Sequence, residues 1–91
     1  MEPILVYPSL YVLKLENDCY YVGISHNLNQ RWSQHWSGSG AKWTRLHKPL
    51  EVIRVIYPAT EKDIENRITL EYIAEFGKEK VRGGSYCQVK D

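Results

Sequence analysis

The strongest constraint on this sequence lies in residues 9–35, where two runs of strand-forming residues are separated by a very short polar segment. Leu10 to Leu15 and Cys19 to Ile24 are rich in residues that favour strands, and Glu16-Asn17-Asp18 between them has the chemistry of a turn. Two strands joined by so short a connection form an antiparallel hairpin. This hairpin is therefore the first element that any fold of the chain must contain.

The length of the connection decides which side chains share a face of the hairpin. A two-residue Asn17-Asp18 loop would place Tyr11 and Tyr21 on opposite faces, whereas a loop of three or five residues, or a bulge, would place both phenols on one face. Asn-Asp is a weaker signal for a two-residue hairpin turn than Asn-Gly. We therefore predict a connection of odd length, with both phenols on the same face.

A helix is predicted directly after the hairpin. Asn27 is a favourable N-cap, and the helix should extend from about Leu28 to Trp36 and end in the Gly/Ser run at residues 37–40. Arg31 and His35 are one turn apart and are expected at the margin between core and solvent. The apolar stripe of this helix, expected in the core, comprises Leu28, Trp32 and Trp36.

The second half of the chain predicts another strand and a longer helix. Leu50 to Tyr57 is apolar at odd and even positions alike, which is typical of a central strand covered on both faces. Thr60 followed by Asp63 resembles a capping box, so a helix is predicted from about Glu61 to Phe76, ending at Gly77. One short helical turn is predicted within residues 41–48, a turn at 82–85 and a short edge strand at 86–89.

Composition and charge limit the classes of protein that fit this chain. Ninety-one residues make one domain, and no apolar run is long enough to span a membrane. Two cysteines are too few for a disulfide framework or a Cys-x-x-Cys metal site, and there is no signal peptide, so we expect a cytoplasmic protein. A net charge of +1 argues against a large electropositive face. The charge is unevenly distributed, however, because residues 19–50 contain no acidic residue. The acidic residues gather instead in the predicted second helix, at Glu61, Asp63, Glu65, Glu71 and Glu75.

Five motifs in this order resemble those of the GIY-YIG nuclease superfamily. Ser9-Leu10-Tyr11 stands where the first motif has Gly-Ile-Tyr, and Tyr21-Val22-Gly23 matches Tyr-Ile-Gly. Residues 38–44 look like the family's Gly-x-Gly-Ala-Lys-aromatic-Thr loop. The helix positions Arg31 and His35 also match, and Glu71 looks like the family's single metal-binding glutamate.

The resemblance covers about residues 9–89 and implies an α/β (α+β) fold, with a three-stranded antiparallel sheet flanked by helices in a single domain over residues 1–91. It also shows two departures from the family pattern. Ser9 replaces the first glycine, and the asparagine that many members carry after the glutamate has no counterpart in the segment Arg82-Gly83-Gly84-Ser85-Tyr86.

The function implied by the resemblance is a DNA endonuclease, a phosphodiester hydrolase that uses Mg²⁺ or Mn²⁺ held by Glu71. A guanidinium suits a phosphate clamp, an imidazole can relay a proton or orient a tyrosine, and a phenol acts as a base only when a neighbour lowers its pKa. The sequence leaves open which tyrosine is the base, and Glu65 and Glu75 are rivals of Glu71. The expected catalytic residues are Tyr11, Tyr21, Arg31, His35 and Glu71.

DNA is the expected binding partner. Lys42, Trp43, Arg45 and Lys48 are expected to contact DNA, although Trp43 can equally pack over the sheet edge. We expect low sequence specificity, or recognition of DNA structure, or dependence on a homodimer or a separate recognition partner. Two alternatives remain open, a non-catalytic nucleic-acid-binding module that keeps the fold, and a protein-interaction domain, which requires Trp32 and Trp36 to turn outward.

Overall fold

A four-stranded sheet forms the centre of the protein, and this computed structural model describes residues 6–87. The strand order is β3-β1-β2-β4, with β1 antiparallel to both neighbours and β4 parallel to β2. The elements in chain order are β1 (Ser9–Leu15), β2 (Cys19–Ser25), α1 (Leu28–Ser37), α2 (Lys42–Leu46), β3 (Pro49–Ile56), α3 (Ile64–Phe76) and β4 (Val81–Gly83).

The connection between β1 and β2 is a single 3₁₀ turn, Glu16–Asp18. Asn17 and Asp18 have φ of 64° and 58°, a left-handed conformation that Asn and Asp tolerate better than most residues. In the resulting register Leu13 lies opposite Tyr21 and Tyr11 lies opposite Gly23. Because side chains alternate along a strand, Tyr11 and Tyr21 share one face, and the predicted odd-length connection is confirmed.

Gly23 lets the Tyr11 ring lie across the neighbouring strand. A Cβ atom at Gly23 would stand 2.4 Å from the Tyr11 Cζ and hydroxyl oxygen, which is far inside van der Waals contact. The glycine of the second motif is therefore required by the tyrosine of the first.

Helices cover the sheet on its two faces. On the face of Tyr11 and Tyr21, the core is completed by Trp43 from α2 and by Leu28 and Trp32 from α1. On the other face, α3 packs Ile64 and Ile68 against Leu10, Val12 and Val22. Helix α1 begins as predicted, because the Asn27 side chain accepts a hydrogen bond from the Gln30 N–H (3.1 Å). It ends at Gly38, whose φ is 84°.

Strand β3 is an edge strand, so the prediction of a central strand covered on both faces was wrong. Leu50, Val52, Ile53 and Val55 are 37–56% exposed. The pairing of β3 with β1 contains two register shifts, which move successive residues out of strict alternation. The run without alternation therefore comes from bulges at an edge and not from burial on both sides. Strand β1 takes the central place.

In the C-terminal third, the start of the helix and the strand that follows it differ from the prediction. Helix α3 starts at Ile64 and not at Glu61, and Asp63 lies in the left-handed region (φ 57°) without a side-chain capping bond, so no capping box forms. The fourth strand, β4, extends the three-stranded sheet that was expected. Tyr86 makes only an isolated bridge with Gly83, and the rest of the predicted edge strand, at 88–89, lies outside the described residues.

Across the described part of the chain, no helix combines the length and the apolar character that crossing a membrane demands.

Candidate active site

Four side chains from β1, α1 and α2 form a continuous hydrogen-bonded chain above the shared face of the hairpin. Arg31 Nε donates to the Tyr11 hydroxyl (3.1 Å), and this hydroxyl lies 2.8 Å from His35 Nε2. His35 Nδ1 lies 3.1 Å from Thr44 Oγ1, and Thr44 donates to the Ala41 carbonyl (2.8 Å).

The partners of Thr44 fix the direction of every bond in this chain. Since the single hydroxyl proton of Thr44 goes to the Ala41 carbonyl, Thr44 Oγ1 accepts from His35, which places the imidazole proton on Nδ1. His35 Nε2 is then an acceptor, and the Tyr11 hydroxyl donates to it. All donors point the same way, from Arg31 to Ala41, an arrangement in which neighbouring hydrogen bonds strengthen one another.

His35 is a neutral, buried histidine. Its side chain is 1% exposed, and burial, followed by the nearby charge of Arg31, lowers its pKa from 6.5 to about 4. The expectation that His35 lies at the margin of the core was wrong, because the loop after α1 folds back over it. A Cβ atom on Gly40 would come within 2.6 Å of His35 Nδ1. Helical periodicity carries no information about that loop.

The two phenols differ in their access to solvent. Tyr11 is 0% exposed and Tyr21 is 8% exposed. Burial raises the pKa of both above the ordinary phenol value, while a hydrogen bond from Arg31 and its positive charge act in the opposite direction. The ring centroids of Tyr21 and His35 are 5.3 Å apart, so all three aromatic groups pack together. Tyr21 is the phenol that reaches the surface.

Arg31 connects the buried chain to the two tyrosines. Besides its bond to Tyr11, its guanidinium lies close enough to the Tyr21 phenol to lower the pKa of that phenol, and Nη1 donates to Gln34 Oε1 (2.6 Å). The residue is only partly buried. A guanidinium has donors beyond those used here, so Arg31 can bind an oxyanion while it remains fixed by its neighbours.

Glu65 is the carboxylate that the structure brings into electrostatic reach of this group. Its charge contributes to the raised pKa of both tyrosines, and Arg31 in turn acts on Glu65. The pKa of Glu65 is raised by its partial burial, against a hydrogen bond from the Gly84 N–H and the charge of Arg31. In α3 it lies on the same side as the buried Ile68 and Thr69.

Glu71 is not brought into this group. It is exposed, its carboxylate pairs with Arg67 (2.6 Å), and it lies 4.0 Å from Arg54 on β3. Six residues separate Glu65 from Glu71, which corresponds to about 120° around a helix. The sequence match favoured Glu71, but the buried face of α3 decides which carboxylate turns inward, and Glu65 had been only a rival.

The turn after β4 is fastened to α3 beside Glu65. Asn66 Oδ1 accepts from the Ser85 N–H (2.8 Å), and Asn66 Nδ2 donates to Ser85 Oγ (3.2 Å). Gly84 has a φ of 50°, and a Cβ atom there would stand 2.1 Å from Asn66 Oδ1. The segment that had no counterpart in the family pattern thus carries the Gly84 N–H that lowers the pKa of Glu65.

Two tryptophans lie in environments that the sequence did not decide or predicted wrongly. Trp43 could either contact DNA or pack over the sheet edge, and Trp36 was expected in the core. Trp43 is 6% exposed, donates from Nε1 to the Tyr20 carbonyl (3.0 Å) and lies 4.4 Å from the Arg82 guanidinium, so it packs in the core and cannot stack on a base. Trp36 is 47% exposed and is not a core residue. Trp32 is partly buried, and the side chains of Lys42, Arg45 and Lys48 are exposed.

Ser9, which replaces the first glycine, is accommodated without a clash. It is 1% exposed, and its Oγ has no hydrogen-bond partner among residues 6–87. A buried hydroxyl without a partner costs about 1–3 kcal/mol.

A metal site of several protein ligands is not present in the described residues. Within 6–87, no group of three or more His, Cys, Asp or Glu side chains could hold an ion together. A single partly buried carboxylate beside a phosphate-binding cation is, however, a donor set that suits Mg²⁺, which retains several waters and takes its other ligands from substrate oxygens.

This fold brings together a hairpin with paired phenols, a partly buried arginine and one partly buried carboxylate. The chain belongs to the GIY-YIG family, since the model of the GIY-YIG catalytic domain matches residues 7–80. The resemblance found in the sequence is confirmed, and it points to a family of endonucleases.

Two relatives of this chain both carry the family designation UPF0213. A UPF0213 protein of Neisseria meningitidis serogroup A is 43% identical over 54 residues, which are 59% of this chain and 58% of the relative. A UPF0213 protein of Cupriavidus pinatubonensis is 31% identical over 70 residues, 76% of this chain and 78% of the relative. The match thus spans little more than half of the Neisseria protein. No solved structure matches the chain.

The substitution His35→Gln is expected to reduce the dependence of stability on pH. With a pKa of 6.5 in the unfolded chain and about 4 in the folded one, His35 binds a proton only on unfolding between these values. The wild-type free energy of unfolding should therefore fall as pH decreases from 6.5 to 4, by up to about 1.4 kcal/mol per pH unit.

Urea denaturation at a series of pH values measures this slope. Glutamine does not titrate, so the variant lacks the contribution, while His26→Gln at an exposed position is the matched control. Equal slopes in wild type and His35→Gln would contradict the buried, neutral histidine.

Proposed function

We propose that this protein is a metal-dependent DNA endonuclease in which Tyr21, Arg31 and Glu65 act on the phosphodiester. The observation that carries the proposal is the position of Arg31, which donates to the Tyr11 hydroxyl, acts on the pKa of Tyr21 and lies in electrostatic reach of Glu65. Membership of a nuclease family supports the class of reaction. The substrate, the metal and the role of each residue are our inference.

Hydrolysis of a phosphodiester requires an activated water, stabilisation of negative charge on the phosphoryl oxygens and assistance to the leaving oxygen. Arg31 serves the second requirement, because its planar fork matches two phosphate oxygens. Its bonds to Tyr11 and Gln34 orient the fork before substrate arrives, so little conformational freedom is lost on binding.

Tyr21 is the better placed of the two phenols to take a proton from the attacking water. It is the partly accessible one, whereas Tyr11 is completely enclosed. A phenol becomes an effective base only when a cation favours the phenolate. Arg31 favours the Tyr21 phenolate, although burial has the larger effect and raises the pKa of Tyr21 overall.

Tyr11 and His35 act as positioning residues. Both are buried, and the hydroxyl of Tyr11 is held between His35 Nε2 and Arg31 Nε. Neutral His35 accepts a hydrogen bond from the Tyr11 hydroxyl. The lone pairs of the Tyr11 oxygen are then free to accept a hydrogen bond from Arg31. These two side chains therefore fix Arg31 and do not themselves touch substrate.

Glu65 would hold the divalent ion, together with waters and substrate oxygens. The bound ion supplies positive charge to the phosphoryl and leaving oxygens. The chain's own contribution is to orient the carboxylate, through the Gly84 N–H and the attachment of Asn66 to Ser85. One such site per chain would nick one strand, so a double-strand break would require two copies or two encounters.

Tyr21→Phe is expected to lower the rate of plasmid nicking by about 10²-fold or more, because it removes the oxygen that would accept the proton while it keeps the aromatic ring. The loss should appear in kcat, while the affinity for DNA stays near that of wild type. Conversion of supercoiled to open-circular plasmid in Mg²⁺ measures it. Tyr57→Phe, at an exposed tyrosine, is the matched control, and undiminished nicking by Tyr21→Phe would refute its role as the base.

Glu65→Gln is expected to abolish nicking, whereas Glu71→Gln on the same helix should retain most of the activity. Both substitutions remove one negative charge from α3, so they differ only in which carboxylate is lost. The same plasmid assay, with Mg²⁺ and with Mn²⁺, separates them. The reverse result would restore Glu71 as the metal ligand, and salt-dependent DNA binding by wild type without cleavage in any divalent ion would favour the non-catalytic module.

Asn66→Ala is expected to raise the Mg²⁺ concentration for half-maximal nicking by about tenfold or more, with much of the maximal rate recovered at saturating metal. The reason is that the turn carrying Gly84 loses two bonds to α3 and no longer orients Glu65. Ser85→Ala removes only the weaker of these bonds and should shift the Mg²⁺ requirement less. Unchanged metal dependence in Asn66→Ala would exclude the positioning role.

A further inference from the structure

A second cleft adjoins the site through the far side of His35. Its volume is about 390 Å³, within the range of about 300–1,000 Å³ typical of small-ligand pockets. It lies between the end of α1, α2 and the start of β3. Among the residues that line it are His35, Trp36, Thr44, Arg45, Lys48 and Pro49.

Trp36 gives this cleft an accessible aromatic wall. Its side chain is 47% exposed, whereas Trp43 on the neighbouring helix is 6% exposed and has its indole N–H bonded in the core. The Trp32 ring supports Trp36 from one side, edge to face, with 6.4 Å between the ring centroids. An indole that is braced in this way loses little freedom when a flat ligand stacks on it.

The charge of the cleft is entirely positive. Arg45 and Lys48 line it and are exposed, and within residues 6–87 none of its lining residues is acidic. Ser37 and Thr44 add hydroxyl groups to the wall. A ligand that matches an indole beside two cations combines an aromatic ring with an anion, which is the chemistry of a nucleotide.

We propose that this cleft binds an unpaired nucleotide of a DNA strand, with its base against Trp36 and its phosphate at Arg45 and Lys48. The proposal rests on the proposed function and specifies its substrate class. A base inside a duplex is stacked on both sides and cannot enter a side cleft, so the nucleotide must be single-stranded or extruded. DNA with a single-stranded segment, such as a branch or a flap, is therefore the preferred substrate.

Fluorescence anisotropy of a short fluorescein-labelled oligothymidylate, with EDTA present to prevent cleavage, tests the proposal. Wild type should bind the single strand more tightly than a blunt duplex of equal length. Trp36→Ala should weaken binding of the single strand by about tenfold or more and leave duplex binding unchanged, since stacking on one base is lost. Trp36→Phe retains an aromatic face and should restore most of the affinity.

Two controls sharpen the result. Tyr57→Ala removes an aromatic side chain of similar exposure (48%) outside the cleft and should bind as wild type does. Single-strand affinity unaffected by Trp36→Ala, or equal losses for single strand and duplex, would overturn the proposal. Plasmid nicking by wild type, measured separately, tests the endonuclease activity itself. Trp36-dependent binding of the single strand without nicking would support the nucleotide-binding cleft and contradict the proposed function.

Discussion

Three residues, Glu16 to Asp18, separate the two strands that carry the phenols, and this number fixes the side of the sheet on which the site forms. A turn one residue shorter would send Tyr21 to the face covered by α3, away from Tyr11 and His35. With the observed register, Tyr11 lies over Gly23, and α1 then brings Arg31 and His35 to the same face. The order of hydrogen bonds from Arg31 to Ala41 depends on this one local choice.

The elements that depend on local chemistry could be predicted from the sequence. The odd-length turn, the N-cap at Asn27 and the glycine that ends α1 all follow from the conformational preferences of a few residues. The position of β3 could not be predicted in this way. Its apolar residues satisfy the pattern of a buried strand, but two bulges and its place at the sheet edge are set by pairing with distant residues. The parallel addition of β4 is non-local for the same reason.

The sequence predicts the position of a site residue when the hairpin or helix that carries its motif is enough to orient the side chain. It does not predict the position when packing against another element decides the orientation or the burial of that side chain. Tyr11, Tyr21 and Arg31 converge as expected, because the hairpin and α1 alone position them. The partial burial of Glu65 and the exposure of Glu71 depend on how α3 rotates to bury its isoleucines, which the motif does not encode. Trp43 and Trp36 lie on short or terminal helical segments, where burial is decided by the loops and strands that pack nearby.

The attachment of the turn at Gly84 to α3, through the bonds between Asn66 and Ser85, has a consequence for the order in which the molecule becomes competent. Chains are synthesised from the N-terminus, so the hairpin and α1 are available before α3 and β4. Parallel pairing of β4 with β2 requires the connecting helix and is therefore a late event. Until β4 has joined the sheet and brought the turn at Gly84 to α3, a nascent chain holds the phenols and the arginine without an oriented carboxylate. The proposed cleavage chemistry is thereby withheld from any nucleic acid near the ribosome until folding is nearly complete.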